Sequence, residues 1–152
     1  AQIGGTLIIE NNTVLQSLSG LENLQGIGSA LKILNNPTLS STGELSKLQI
    51  IEGDLIFNHN PIFRNMRPFA ALKTIGGGIS ILNNESLEDV LGLDILNEIT
   101  KNISFLDNPQ LPTNSAIEFT NHMIDSCYAA PLYLVIDLVR RIQDIGVKQV
   151  IS

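Results

Sequence analysis

The chain has no tryptophan, one cysteine and few aromatic residues, 5% of its 152 residues. Cys127 has no second thiol in the sequence, so the chain cannot form an internal disulfide, and it says nothing about the redox compartment. Basic residues are scarce: 9 Lys and Arg stand against 15 Asp and Glu, for a formal net charge of −6. Phosphate binding needs a basic stripe, so a general nucleic-acid role is excluded. No run of about 18 apolar residues occurs, so no segment is expected to insert into a membrane. The chain also has no leading basic-then-apolar segment; a signal or anchor is expected to lie outside it.

Catalytic and metal-binding patterns are equally sparse. Gly-x-Ser-x-Gly, a phosphate loop and His-Glu-x-x-His are all absent, and Gly76-Gly77-Gly78 lacks the lysine that a phosphate loop needs. There are two histidines. His59 occupies a place filled by Asn11, Asn35, Asn83 and Asp107 elsewhere in the chain, one suited to left-handed backbone. His122 has no ligand-like spacing to Cys127 or to an acid. The acids Glu10, Glu52, Asp54, Glu85 and Asp107 are scattered and do not form a pair for glycan cleavage. No enzyme activity, cofactor or metal is expected.

What the sequence does have is aliphatic residues, in a repeat. Ile3, Ile27, Ile51, Ile75 and Ile99 fall at a constant spacing of 24, and Asn12, Asn36, Asn60, Asn84 and Asn108 keep the same step. Between them run Leu7, Leu31, Leu55, Ile79 and Ile103, then Ile9, Ile33, Phe57, Ile81 and Phe105. Leu15, Leu39, Phe63, Leu87 and Leu111 follow the asparagines; Leu21, Leu45, Phe69, Leu93 and Ile117 continue the register, and Leu24, Leu48, Leu72 and Leu96 close each copy. One such unit cannot bury its apolar face alone. Neighbours must stack and their strands must pair in parallel, giving a repeat solenoid.

Each copy can be read physically. Leu7-Ile8-Ile9 alternates inward and outward as a short strand. The asparagine follows at a sharp corner, where a buried amide can satisfy backbone groups of its own and neighbouring copies. Pro37, Pro61 and Pro109 come directly after it, where a fixed φ and a missing N–H suit a corner.

The pattern Ile-x-Gly-x-Leu-x-Ile-x-Asn-Asn-Pro-x-Leu resembles the receptor L domain, the family of the ligand-binding lobes of insulin-type and epidermal-growth-factor-type receptors. Related arrays occur in fungal cell-wall and bacterial surface proteins. The resemblance covers about residues 3 to 111. The stretches 51–58 and 75–82 match it best; Thr13 and Glu85 depart by standing where proline is usual, and the flanking disulfides of the animal members are absent. It implies a right-handed parallel β-helix, leucine-rich-repeat-like, of five 24-residue coils over 1–112. An ordinary leucine-rich-repeat horseshoe is the alternative, since Leu7-x-Ile9-x-x-Asn12 also fits its strand signature. The implied function is non-enzymatic recognition of a protein, or of a glycan, at a cell surface or outside the cell. A structural spacer or wall component is the alternative.

Residues 113–152 do not repeat and are expected to form a helical cap on the same domain. A helix is expected over 115–126, with Ile117 and Ile124 facing the last coil. A second is expected over 132–145, from the stripe Leu132, Val135, Ile136, Val139 and Ile142, ended by Gly146 and followed by a final strand over 147–152. A solenoid end left open exposes apolar residues and an unpaired edge, so a cap is the expected role; docking of a partner chain on this helix is the alternative. At the other end the repeat begins at once, which suggests that residues precede it.

Strand alternation also places candidate binding residues. One outward ladder is Ile8, Lys32, Ile56, Ser80 and Ser104; the next is Glu10, Leu34, Asn58, Leu82 and Leu106. The apolar members Ile8, Leu34, Ile56, Leu82 and Leu106 are the candidate site for a protein partner or for self-association. The alternative is that the cap or a neighbouring domain covers them. Asn11, Asn84 and Asn102 satisfy the glycosylation pattern. Asn84 belongs to the buried ladder, which leaves Asn11 and Asn102 as candidates.

Overall fold

The computed structural model describes residues 1–126 and 134–136. The chain is a solenoid of stacked parallel β coils. Four complete 24-residue turns connect five four-residue strands: β2 (Leu7–Glu10), β4 (Leu31–Leu34), β6 (Leu55–Asn58), β8 (Ile79–Leu82) and β10 (Ile103–Leu106). They pair in register at the repeat spacing, so that Ile9, Ile33, Phe57, Ile81 and Phe105 form one ladder. A second parallel sheet of two-residue strands precedes them around the coil: β1 (Gln2–Ile3), β3 (Gly26–Ile27), β5 (Ile50–Ile51), β7 (Thr74–Ile75) and β9 (Glu98–Ile99).

The repeating apolar positions make one continuous core. Leu31, Leu55, Ile33, Phe57 and Ile81 are fully buried, as are Leu39, Phe63 and Leu87 beyond the corner and Leu48 and Leu72 at the close of each coil. Each fully buried side chain of this size contributes about 1.5–3 kcal/mol, and the stack gathers many of them along one axis. The third coil carries the bulkiest filling: the Phe57 ring lies 4.7 Å from Phe63 and meets Phe69 edge-on at 6.0 Å.

The corner is built as the sequence implies. Asn11, Asn35, His59, Asn83 and Asp107 all have left-handed backbone, with φ between 54° and 58°. The next residue is the ladder asparagine. In the third coil, Asn60 Nδ2 donates to the carbonyls of Asn58 (3.1 Å) in its own coil and Ile33 (2.9 Å) in the coil before. Its Oδ1 accepts the backbone N–H of Asn36 at 3.2 Å, while its own N–H donates to Asn84 Oδ1 at 3.1 Å. Asn36 and Asn84 repeat this set, and all three are 0% exposed. A side-chain amide has both donor and acceptor capacity, so one residue type can close the corner in every coil.

Return segments differ between coils. The second and third contain short 3₁₀ turns, Gly43–Leu45 and Arg67–Phe69. The first and fourth instead turn at Gly20 (φ 105°) and Gly92 (φ 110°), which hold the same repeat place as Glu44 and Pro68. Positive φ at this place favours glycine. At Gly92 the backbone of Met66 and Arg67 in the neighbouring coil also occupies the space a Cβ would need.

A helix and a further strand follow the last coil. Helix α1 (Thr113–Ser126) covers the last coil, with Phe119 edge-on to Phe105 at 6.2 Å and Ala116 and Met123 in the same core. Ile117 is buried as expected; the side chain of Ile124 lies outside the described set. The expected helix over 132–145 needs correction at the residues that can be described. Leu134–Ile136 form a strand, β11, that pairs parallel to β10 through Ile103↔Leu134 and Phe105↔Ile136. A run of Leu, Val and Ile fits a strand as readily as one helical face, and the open edge of β10 offers it backbone partners. The expected glycine stop at Gly146, the strand over 147–152 and Cys127 lie outside the described residues.

Candidate functional site

The outward side of the larger sheet carries the five residues singled out from strand alternation. Ile8 and Ile56 stand in one ladder, and Leu34, Leu82 and Leu106 in the next. Strands in a parallel sheet lie about 4.8 Å apart, so Leu82 and Leu106, directly opposite each other on β8 and β10, form an adjoining apolar pair. Ile8 is 51% exposed, since among the described residues β2 is an edge strand of its sheet. Leu34, Ile56, Leu82 and Leu106 are half-buried, since each is flanked by side chains one strand away. Lys32, Ser80, Ser104, Asn58 and Glu10 complete the two ladders and break the apolar area into diagonal patches.

Both faces of the sheet are set by the same hydrogen-bonded ladder, so the outward groups sit on a rigid support. The asparagine column at the strand ends fixes the register further, and a slip of one residue would turn every core side chain outward. The candidate face is therefore fixed in spacing by the fold itself.

Other apolar side chains reach solvent at places that alternation does not report. Val14 is 83% exposed and Ile62 43%; both occupy a repeat place that holds Thr38, Ser86 and Gln110 elsewhere. Leu91 (48%) and Ile95 (49%) lie on the return segment of the fourth coil, where other copies carry Ser19, Gly43 and Arg67 or Asn23, Lys47 and Ala71. They line a hollow of about 270 Å³ with Arg67 and Asp94. The detectable signal is an apolar residue at a repeat place that is otherwise mostly polar or small.

The two candidate glycosylation residues, Asn11 and Asn102, are exposed, whereas Asn84 is buried within the ladder. His59 is exposed at its corner with φ 55°, and His122 is exposed on α1. Among the described residues no group of three or more His, Cys, Asp or Glu side chains could hold a metal ion. No helix among them is long and apolar enough to cross a membrane. A cleft of about 770 Å³ opens between the corners of the last three coils and the start of α1, and His59, Asn83 and Asp107 of the left-handed corner column line it.

Charge on the return face is paired between coils. Arg64 reaches Glu88 at 3.1 Å and Arg67 reaches Asp89 at 3.6 Å, each pair linking the third coil to the fourth. Beside the first return turn, the Gly20 amide donates to the Glu22 carboxylate at 2.9 Å and, with Lys47 contributing less, holds this acid below its ordinary range. Compared with known proteins, the chain matches no family model, no curated protein and no solved structure.

Proposed function

We propose that the chain is a non-enzymatic recognition module of the receptor L domain kind, which presents its larger sheet face to a protein partner at a cell surface or outside the cell. One observation carries this reading: Ile8, Leu34, Ile56, Leu82 and Leu106 lie on the solvent side of a single sheet whose register is fixed by hydrogen bonds on both edges of each inner strand. Apolar groups on the outer side of a sheet add nothing to the core, and a rigid array of them suits a complementary surface. The sequence pattern of Gly before the strand and Asn-Asn-Pro after it supports the family reading and, through it, the location. Asn11 and Asn102, both exposed, would then be acceptors for glycans.

The test is capture from the surface and secreted fractions of the source organism, comparing the unaltered chain with a Leu82→Glu/Leu106→Glu double variant. Both side chains point away from the core, so the variant should keep its far-ultraviolet spectrum and unfolding midpoint. A partner held by the unaltered chain and lost from the variant supports recognition through this face. A partner held equally by both places the site elsewhere.

A spacer without a specific ligand is the second reading, favoured by the Lys32, Asn58, Ser80 and Ser104 interruptions of the apolar ladders. A monodisperse chain that captures nothing would favour it.

A further inference from the structure

Three asparagines satisfy the glycosylation pattern, and the fold treats them differently. Asn11 and Asn102 are exposed. Asn84 is 0% exposed and belongs to the ladder. Its Nδ2 donates to the carbonyl of Leu82 (2.9 Å) in its own coil. The same nitrogen lies 3.3 Å from the Phe57 carbonyl in the coil before and 3.2 Å from Asn108 Oδ1 in the coil after. Its Oδ1 accepts the backbone N–H of Asn60 at 3.1 Å. The other ladder asparagines escape the pattern. Pro37 blocks it in Asn36-Pro37-Thr38, and Val14, Ile62 and Gln110 stand where Asn12, Asn60 and Asn108 would need Ser or Thr. The fourth coil alone puts Glu85 in the proline place and Ser86 after it.

We propose that Asn84 is a modification site of the unfolded chain only, and that N-linked glycan transfer there and closure of the asparagine ladder exclude each other. Transfer from a lipid-linked oligosaccharide joins the first sugar carbon to Nδ2, releases the lipid diphosphate and removes one of the two Nδ2 protons. A single N–H is then left to serve the carbonyls of Leu82 and Phe57. The sugar would also have to leave through a place enclosed by its own coil and by the coils on either side. Ladder groups left without partners away from water are costly, so the coils do not close around a modified Asn84. The reverse holds too: once the ladder has formed, Nδ2 is out of an enzyme's reach. Wherever the unfolded chain meets an oligosaccharyl transferase, it divides between a folded form bare at Asn84 and a glycosylated form that cannot stack its fourth coil. Asn11 and Asn102, being exposed, carry no such conflict.

This inference concerns the folding of the chain and not its partner, so it stands or falls apart from the recognition reading. The test uses the whole chain secreted from a eukaryotic host cell, in a Thr13→Ala/Ser104→Ala background that leaves Asn84 as the sole acceptor pattern. Occupancy is read by mass spectrometry after enzymatic glycan release in heavy-oxygen water. Asn84 should be occupied in chain retained by the cell and bare in folded, secreted chain. Glu85→Pro restores the proline of the other coils and Ser86→Ala removes the hydroxyl of the pattern; neither touches Asn84. Each should abolish the retained glycosylated form and raise the secreted yield several-fold. Made in a host without N-glycosylation, the background chain and both variants should refold from urea. The retained glycosylated chain should not refold under the same dilution. Folded, secreted chain with a glycan on Asn84 would overturn the proposal, as would refolding of the glycosylated chain to a β-rich spectrum. So would an Asn84 bare in every fraction, or a secreted yield that neither variant raises.

Discussion

The first coil and the third are built from the same repeat, and they differ in what surrounds them. Asn60 is fully buried between two coils and bonds to both, while Asn12 is exposed and, among the described residues, bonds to Glu10 and Asn36. Leu55 is 0% exposed, and its counterpart Leu7 is half-buried. Identical residues thus differ in energetic weight because a coil's stability lies largely in its contacts with neighbours. Within the described solenoid the inner coils therefore carry more of the stability than the first coil does.

Paired substitutions should expose that difference, beginning with the largest. Asn60→Ala removes the acceptor of the Asn36 N–H and the donors to two carbonyls, all away from water. It is expected to cost about 3–5 kcal/mol, whereas Asn12→Ala should cost about 1 kcal/mol. Chemical denaturation of both variants measures the gap; equal losses would mean that the ladder does not depend on flanking coils. Gly92→Ala comes next. Its positive φ and the Met66 backbone together should cost about 3 kcal/mol, against about 1–2 kcal/mol for Gly20→Ala, where the φ is similar but the space is open.

Thr42 gives a smaller effect of opposite sign. It is 0% exposed, its hydroxyl has no hydrogen-bond partner, and its repeat place holds Leu18, Met66 and Val90. Thr42→Val should stabilise the chain by about 1 kcal/mol, read as a raised unfolding midpoint. Glu22 is the smallest case. Its carboxyl is held low by the Gly20 amide in the folded chain, so its contribution is present above the unfolded pKa and is lost as pH falls through the folded one. A carboxyl titration followed by NMR should show it ionising at lower pH in the folded chain than in urea.

Much of the fold can be read from the sequence because the repeat states each rule five times. The left-handed corner at Asn11, Asn35, His59, Asn83 and Asp107 is recognisable even where histidine replaces asparagine, since the place is fixed by its neighbours. Helix α1 is foreshadowed by Pro112-Thr-Asn-Ser115, although its buried face includes Phe119 and Met123 beside Ile117. Strand β11 is hidden for a physical reason: Val135 and Ile136 also fit a helical stripe with Leu132, Val139 and Ile142, and pairing with the edge of β10 decides the state of Leu134–Ile136. The two-residue strands of the smaller sheet are too short to announce themselves by alternation.

The candidate face is legible in part. Alternation names Ile8, Leu34, Ile56, Leu82 and Leu106 as outward, but their accessibility depends on strands 24 residues away in sequence or further. The exposed Leu91 and Ile95 emerge only when each return segment is compared with the other copies.

The most direct measurement is deletion of one whole coil. Removing residues 51–74 joins Ile50 to Ile75 and keeps the 24-residue register, while removing 51–62 shifts every later coil by half a turn. The first deletion should give a shorter, less stable chain that still unfolds cooperatively with a β-rich circular dichroism spectrum, and the second should not fold. Loss of folding in both, or tolerance of both, would contradict a fold held by in-register stacking of equivalent coils.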